Sequence, residues 1–146
     1  MLIKDASILV DGELLRDVNI AIEGSRITGI GPEIRDESGD GEVIDGSGKL
    51  ATPGLVNAHT HLAMTLFRGY ADDMELLPWL EEKIWPLEAK LTAEDVHWGT
   101  KLGCLEMIRA GITCYNDMYY FMDEAARATK EMGLRSFLSA VLFDMR

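Results

Sequence analysis

His59 and His61 are two of the chain's three histidines, one residue apart in the stretch PGLVNAHTHLAMTLFRG, residues 53–69. On an extended strand, residues i and i+2 point to the same face. Two neutral imidazoles held that way can share one divalent metal ion. The pattern also suits two partly buried histidines bonded to backbone, and a bare H-x-H does not choose between these readings. Other side chains with chemical capacity are less telling. Glu88 reads as a solvated charge at a helix end. His97, just inside a helix, reads as a surface or hydrogen-bonded histidine rather than a ligand. Asp117 falls near the end of a later strand and reads as structural. Arg68, Asp72 and Asp73 lie in the loop after the histidines, where contacts behind the site or in a lid are open to them. Cys104 and Cys114 form no C-x-x-C pair and read as buried apolar residues of a reduced protein.

The elements around these residues have two textures. Residues 1 to 52 read as short strands and turns, an antiparallel β unit. LIKDASILV leads into Asp11-Gly12, a hairpin signal. DVNIAIEG sets Val18, Ile20 and Ile22 on one face, and RITGIG gives another strand. RDESGDGE is a polar, glycine-rich loop, and VIDGSGKLATPG closes the unit. From Pro53 onward the order becomes β-α-β-α-β. LVNAHTHL reads as a buried strand. Leu76, Leu77, Leu80, Ile84 and Leu87 recur at helical spacing, with Pro78 near the first turn. Thr92 and Asp95 suit a capping box opening a helix that stops at Gly111. ITCYNDMYY is a strand, MDEAARATKEM a helix stopped by Gly133, and Arg135 starts a third strand. Alternation of this kind implies parallel strands with helical crossovers, in a doubly wound sheet or a (β/α)8 barrel. In a barrel, the C-terminal ends of the strands carry the active site, so both histidines would fall there.

Composition narrows the function. The chain has 146 residues and a formal charge of -11, which argues against nucleic acid or an anionic membrane as partner. No apolar run is long enough to span a bilayer. The start has no signal-peptide core, so a cytoplasmic location is expected.

PGLVNAHTHL resembles the signature of the amidohydrolase superfamily: Pro-Gly, an apolar run, then H-x-H ending the first barrel strand. IDGSGKLATPG resembles the junction before it, and LFRGYADDMELLPWLEEKIWPLE resembles the branch that deaminates 5′-modified adenosines. The resemblance covers essentially the whole chain. It implies an α/β fold in which residues 1–52 belong to a small β-sandwich unit and 53–146 are the first three β/α units of an incomplete TIM barrel. It implies His59 and His61 as metal ligands, for one divalent ion, zinc or alternatively iron. It implies Glu88, in WPLE, as a carboxylate accepting hydrogen bonds from the substrate ribose. Trp79 and Trp85 could wall the nucleoside, although helix packing also accounts for them. Relatives with a substrate-contacting arginine carry it near Ala140. Its absence here favours 5′-deoxyadenosine-type substrates over carboxylate-bearing ones.

The implied reaction is hydrolytic deamination of 5′-deoxyadenosine, 5′-methylthioadenosine, S-adenosylhomocysteine or adenosine to the inosine analogue and ammonia, in S-adenosylmethionine salvage, by a homo-oligomer. The family's remaining histidine and aspartate ligands and its proton-transfer residues lie on later strands. Since a full barrel takes roughly 250 residues, the chain is expected to be an incomplete fragment, inactive alone. Two other readings stay open. One is a guanine deaminase, chlorohydrolase or hydantoinase relative, and the other is a non-catalytic truncated barrel module.

Overall fold

The computed structural model describes residues 1–35 and 41–142, so most of the RDESGDGE loop and the last four residues lie outside it. The chain divides into two compact units, Met1–Pro53 and Gly54–Arg146.

The first unit is a five-stranded sheet in the order β3-β2-β1-β4, with β5 also on β1. Strands β1 (Leu2–Val10) and β2 (Glu13–Glu23) form the expected hairpin, closed where Val10 faces Glu13. Asp11 and Gly12 both take positive φ, 51° and 84°, as the tight turn of a right-twisted hairpin requires. Strand β3 (Arg26–Gly31) continues antiparallel on β2. The purely antiparallel unit expected from sequence is corrected here: β4 (Val43–Asp45) and β5 (Leu50–Ala51) both run parallel to β1. Sequence shows the strands but not the crossing. The chain leaves β3 on one edge and enters β4 on the far side of β1 in the same direction as β1, so the connection is a crossover and not a hairpin. Val18 and Ile20 are buried with Ile8, and Ile22 packs against them, as the alternation foretold. Asn19 is buried as well. Its side chain accepts from the Asp5 N–H at 3.0 Å and donates to the Ile34 carbonyl at 3.0 Å.

The second unit is a three-stranded parallel sheet, β6-β7-β8, formed by Leu55–Thr60, Ile112–Tyr119 and Arg135–Ala140. Helix α3 (Ala93–Arg109) joins β6 to β7, and α4 (Met122–Met132) joins β7 to β8. Thr92 and Asp95 close a reciprocal capping box on α3. Gly133 ends α4 at φ 75°. Between β6 and α3 the chain makes a 3₁₀ helix, Leu62–Phe67, and then a helical run of α1 (Leu76–Pro78), a π-helical turn (Trp79–Ile84) and α2 (Trp85–Glu88). Pro86 explains the wide turn. Proline cannot donate within a helix, and its ring crowds the carbonyl four residues back. The preceding residue, Trp85, donates five residues back, to Leu80 O.

The expectation that β6 is a buried strand fails in one respect. Among the described residues its partner is β7 alone, and Leu55 and Val56 are 60% and 66% exposed. At the start of β6, Gly54 passes so close to Thr113 that a Cβ there would lie 2.2 Å from the hydroxyl oxygen. The core lies on the helix side: Leu62, Cys104, Met107 and Tyr115 form one cluster, and Ala63, Val96, Tyr119 and Ala125 another.

Candidate metal and nucleoside site

His59 is the penultimate residue of β6, and His61 caps the 3₁₀ helix that follows. Their ring centroids are 5.1 Å apart, edge to face at 77°. Rings on opposite faces of a strand would project away from each other, so both imidazoles lie on one side. The His61 Nδ1 atom is 2.7 Å from the Met118 carbonyl oxygen. A carbonyl only accepts, so Nδ1 carries the proton and donates. The Nε2 lone pair is left to face outward. A bond of this kind to backbone fixes the tautomer and aim of a ligating imidazole.

Asp117 lies beneath them on β7 and is almost fully buried. Both of its carboxylate oxygens are 3.3 Å from the Leu62 N–H, the first amide after His61. Burial pushes its pKa up, while the Leu62 and Met118 amides and the two nearby imidazoles pull it down. Through these contacts Asp117 tethers the turn that follows His61.

Beside His61 is a pocket of about 260 Å³, lined by Trp79, Leu80, Ile84, Trp85 and Glu88 from the helical run and by Met118 and Tyr119 from β7. The π-helical turn and α2 thus supply an apolar, aromatic wall and a single carboxylate, a usual makeup for a small-molecule site. Trp79 is anchored by its indole N–H, which donates to the Ala71 carbonyl at 3.1 Å. Glu88 Oε1 accepts from the Tyr119 hydroxyl at 2.7 Å. Burial raises the Tyr119 pKa far above the ordinary phenol value, and the bond to Glu88 adds to this, so the phenol remains a donor. Burial also raises Tyr120, with the Glu88 charge second.

His61, Glu88, Trp79 and Trp85 therefore meet in one place, with His59 next to His61. The other candidates lie elsewhere. His97 is buried between α3 and α4, with its ring nitrogens 3.5 Å from Glu124 and Glu131 and its Nδ1 without a hydrogen-bond partner. It is neither a surface histidine nor a satisfied one. Arg68 makes a two-pronged pair with Glu106 of α3, both contacts 2.8 Å. Arg135 opens β8, 3.4 Å from the Thr113 hydroxyl. Sequence reasoning missed Tyr119. The signal was available in the period-two row of Tyr115, Asp117 and Tyr119, all buried on one side of β7.

The residues present fit part of a metal site. Two imidazoles on one side of a strand, one with its tautomer fixed, are the donors that zinc and its neighbours prefer. A catalytic zinc site uses about three protein ligands. Among the described residues, no group of three or more His, Cys, Asp and Glu side chains is placed to hold an ion.

A parallel sheet with helical crossovers, and an H-x-H at the mouth of its first strand, is the arrangement expected of the opening β/α units of a barrel. The chain belongs to the amidohydrolase family, whose pattern matches residues 50–146. It is 66% identical, over its full length, to a protein of Methanothrix thermoacetophila named 5′-deoxyadenosine deaminase, covering 35% of that protein. It is 55% identical over 139 residues to a 5-methylthioadenosine/S-adenosylhomocysteine deaminase of Dictyoglomus turgidum, covering 95% of this chain and 32% of that one. Among solved structures it superposes on a zinc-bound adenosine deaminase of Xanthomonas campestris with a TM-score of 0.82 and 36% identity, over 93% of this chain and 32% of that one. The chain thus spans about a third of the length of the relatives it matches.

Proposed function

We propose that this chain supplies the first part of the active site of a hydrolase that deaminates 5′-modified adenosines, giving the inosine analogue and ammonia. One observation carries the reading: His61 and the carboxylate of Glu88 open onto the same aromatic-walled pocket. The names of the relatives support it, as does the zinc in the adenosine deaminase that the chain resembles.

The chain's residues divide the work by chemistry. His59 and His61 would hold a divalent ion, zinc in this reading, together with ligands from outside residues 1–146. Such an ion, when bound, activates water for attack on an electrophilic ring carbon. The Met118 carbonyl keeps the His61 proton on Nδ1 and so reserves Nε2 for ligation. Glu88 accepts hydrogen bonds from the ribose hydroxyls, which a carboxylate does without a competing donor. Trp79 and Trp85 present faces on which a purine or its sugar can pack while water is excluded. Leu76, Leu80, Ile84 and Val141 line the same pocket. An apolar lining of this kind favours a 5′-deoxy or alkylthio substituent over a charged one.

The test compares adenosine with free adenine, in a protein where residues 1–146 are joined to the remaining two thirds of the Methanothrix relative. Deamination is followed by the change in purine absorbance. Turnover of 5′-deoxyadenosine and adenosine at least a hundredfold faster than of adenine is expected. Equal rates on adenine and adenosine would remove the need for Glu88 and point to a free-base deaminase. Residues 1–146 alone should show no multiple turnover with added zinc and should retain far less than one equivalent of metal after dialysis.

A further inference from the structure

Glu88 ends α2, where a negative charge meets the unfavourable end of the helix dipole. A glutamate side chain also has several rotors to freeze. Both facts work against a carboxylate held still beside a pocket, and hydrogen bonds from the hydroxyls of Tyr119 and Tyr120 answer them. The Tyr119 hydroxyl donates to Glu88 Oε1 at 2.7 Å. Tyr119 is itself immobilised. It is 4% exposed and packs in a cluster with Ala63, Val96 and Ala125, and its ring centroid is 6.1 Å from that of His61. The residue therefore neighbours the imidazole and touches the carboxylate through a single polar atom.

We propose that Tyr119 is a positioning residue that sets the specificity of the pocket for vicinal hydroxyls. By occupying one lone pair of Oε1, beside the further hydrogen bond from Tyr120, it fixes the Glu88 rotamer, and the lone pairs that remain can accept from a sugar diol. The proposal rests on the reading of Glu88 as the acceptor of ribose hydroxyls. Removing the Tyr119 oxygen leaves the ring packed and frees Glu88 to sample other rotamers. Binding of a ligand that uses the carboxylate then weakens, while a ligand lacking the hydroxyls is unaffected.

The experiment compares adenosine with 2′,3′-dideoxyadenosine in the full-length enzyme, for Tyr119→Phe, Glu88→Gln and the double variant. For Tyr119→Phe, KM for adenosine should rise about tenfold, or about 1.4 kcal/mol, with kcat changed less than twofold and KM for the dideoxynucleoside unchanged. Glu88→Gln should show the same selectivity more strongly. The double variant should be no worse than Glu88→Gln alone, since the two residues act as a unit. The melting midpoint of Tyr119→Phe should stay within a few degrees of the parent. If Glu88→Gln weakens both nucleosides equally, the reading of Glu88 fails and the proposal falls with it. If Glu88→Gln discriminates and Tyr119→Phe does not, the reading of Glu88 survives and the role given to Tyr119 is overturned. Equal rises in KM for both nucleosides in Tyr119→Phe also overturn it, because lost packing alone would produce them.

Discussion

The His61 Nδ1 atom lies 2.7 Å from the backbone oxygen of Met118, fifty-seven residues further along the chain. This contact joins the mouth of the first barrel strand to that of the second, and it decides which nitrogen of His61 is free. The prediction is spectroscopic and needs no activity. In ¹⁵N spectra of the chain near pH 8, His61 should be mainly the Nδ1–H tautomer, whereas His59, whose ring has no such carbonyl partner among the described contacts, should favour the Nε2–H form common in solution. A dominant Nε2–H tautomer at His61 would mean that Nδ1 makes no such bond, and the ligand geometry argued above would be lost.

Behind the same turn, α3 has a groove made by two glycines. A Cβ on Gly99 would lie 2.6 Å from the Ala63 carbonyl oxygen, and one on Gly103 would lie 2.3 Å from Leu62 Cδ1. Alanine is the better helix former, so in an open helix both substitutions would stabilise by roughly 0.5–1 kcal/mol. Here they should destabilise instead. Overpacking typically costs about 1–3 kcal/mol. Gly99→Ala should be the worse of the two, because it meets backbone rather than a side chain that can turn. Urea midpoints for the two variants check the order. A stabilised Gly103→Ala would show that the 3₁₀ helix is not seated on α3.

The sites that sequence made legible are those where the signal is local. Asp11-Gly12 specified a turn because both positions need positive φ. Thr92 and Asp95 specified a helix start because the two residues satisfy each other. The period-two placement of His59 and His61 needed only the pleat of one strand. What escaped depends on partners distant in sequence. The parallel return of β4 and β5 onto β1 needs a crossing that no strand pattern encodes. The exposure of Leu55 and Val56 depends on which strands stand beside β6. The π-helical turn at Trp79–Ile84 was hidden because its apolar spacing resembles that of an ordinary helix. Tyr119 was passed over because a tyrosine at a strand end says nothing about Glu88 until the helical run folds back over it. His97 was misplaced for a related reason: its burial is set by α4, which follows it in the chain.

The capping box makes the stability of α3 depend on pH. The Thr92 hydroxyl, followed by its backbone N–H, holds the Asp95 carboxyl below its usual range. A carboxyl with a lower pKa in the folded than in the unfolded state binds fewer protons when folded. Its contribution is present above the unfolded value of about 3.8 and is lost as pH falls through the folded value. Asp95→Asn should therefore lower the urea midpoint near pH 6 and make less and less difference as the pH falls through the folded value. Amide exchange at the first turn of α3 gives the local readout. A difference between parent and variant that does not vary with pH would show that the charge of Asp95 is not involved.

Tyr115 and Thr129 form a buried hydroxyl pair whose two halves should respond unequally to deletion. Tyr115 is completely buried on β7, and its hydroxyl meets that of Thr129 on α4. Thr129 Oγ1 also donates to the Ala125 carbonyl at 2.6 Å, so the Tyr115 phenol is the donor to Thr129. Burial raises the Tyr115 pKa well above the usual phenol range, so it stays protonated at any working pH. Tyr115→Phe removes the donor and leaves Thr129 bonded to Ala125, so the cost should be about 1 kcal/mol, the worth of one ordinary hydrogen bond. Thr129→Val keeps the shape but leaves the phenol only the Cys104 sulfur as a partner, a weak acceptor, and a poorly satisfied buried donor costs about 1–3 kcal/mol. The double variant, with both hydroxyls gone, should be no less stable than Thr129→Val alone. Equilibrium unfolding of the three variants decides the matter, and a Tyr115→Phe cost larger than that of Thr129→Val would mean that the Cys104 sulfur, which the valine variant leaves intact, is the phenol's main partner.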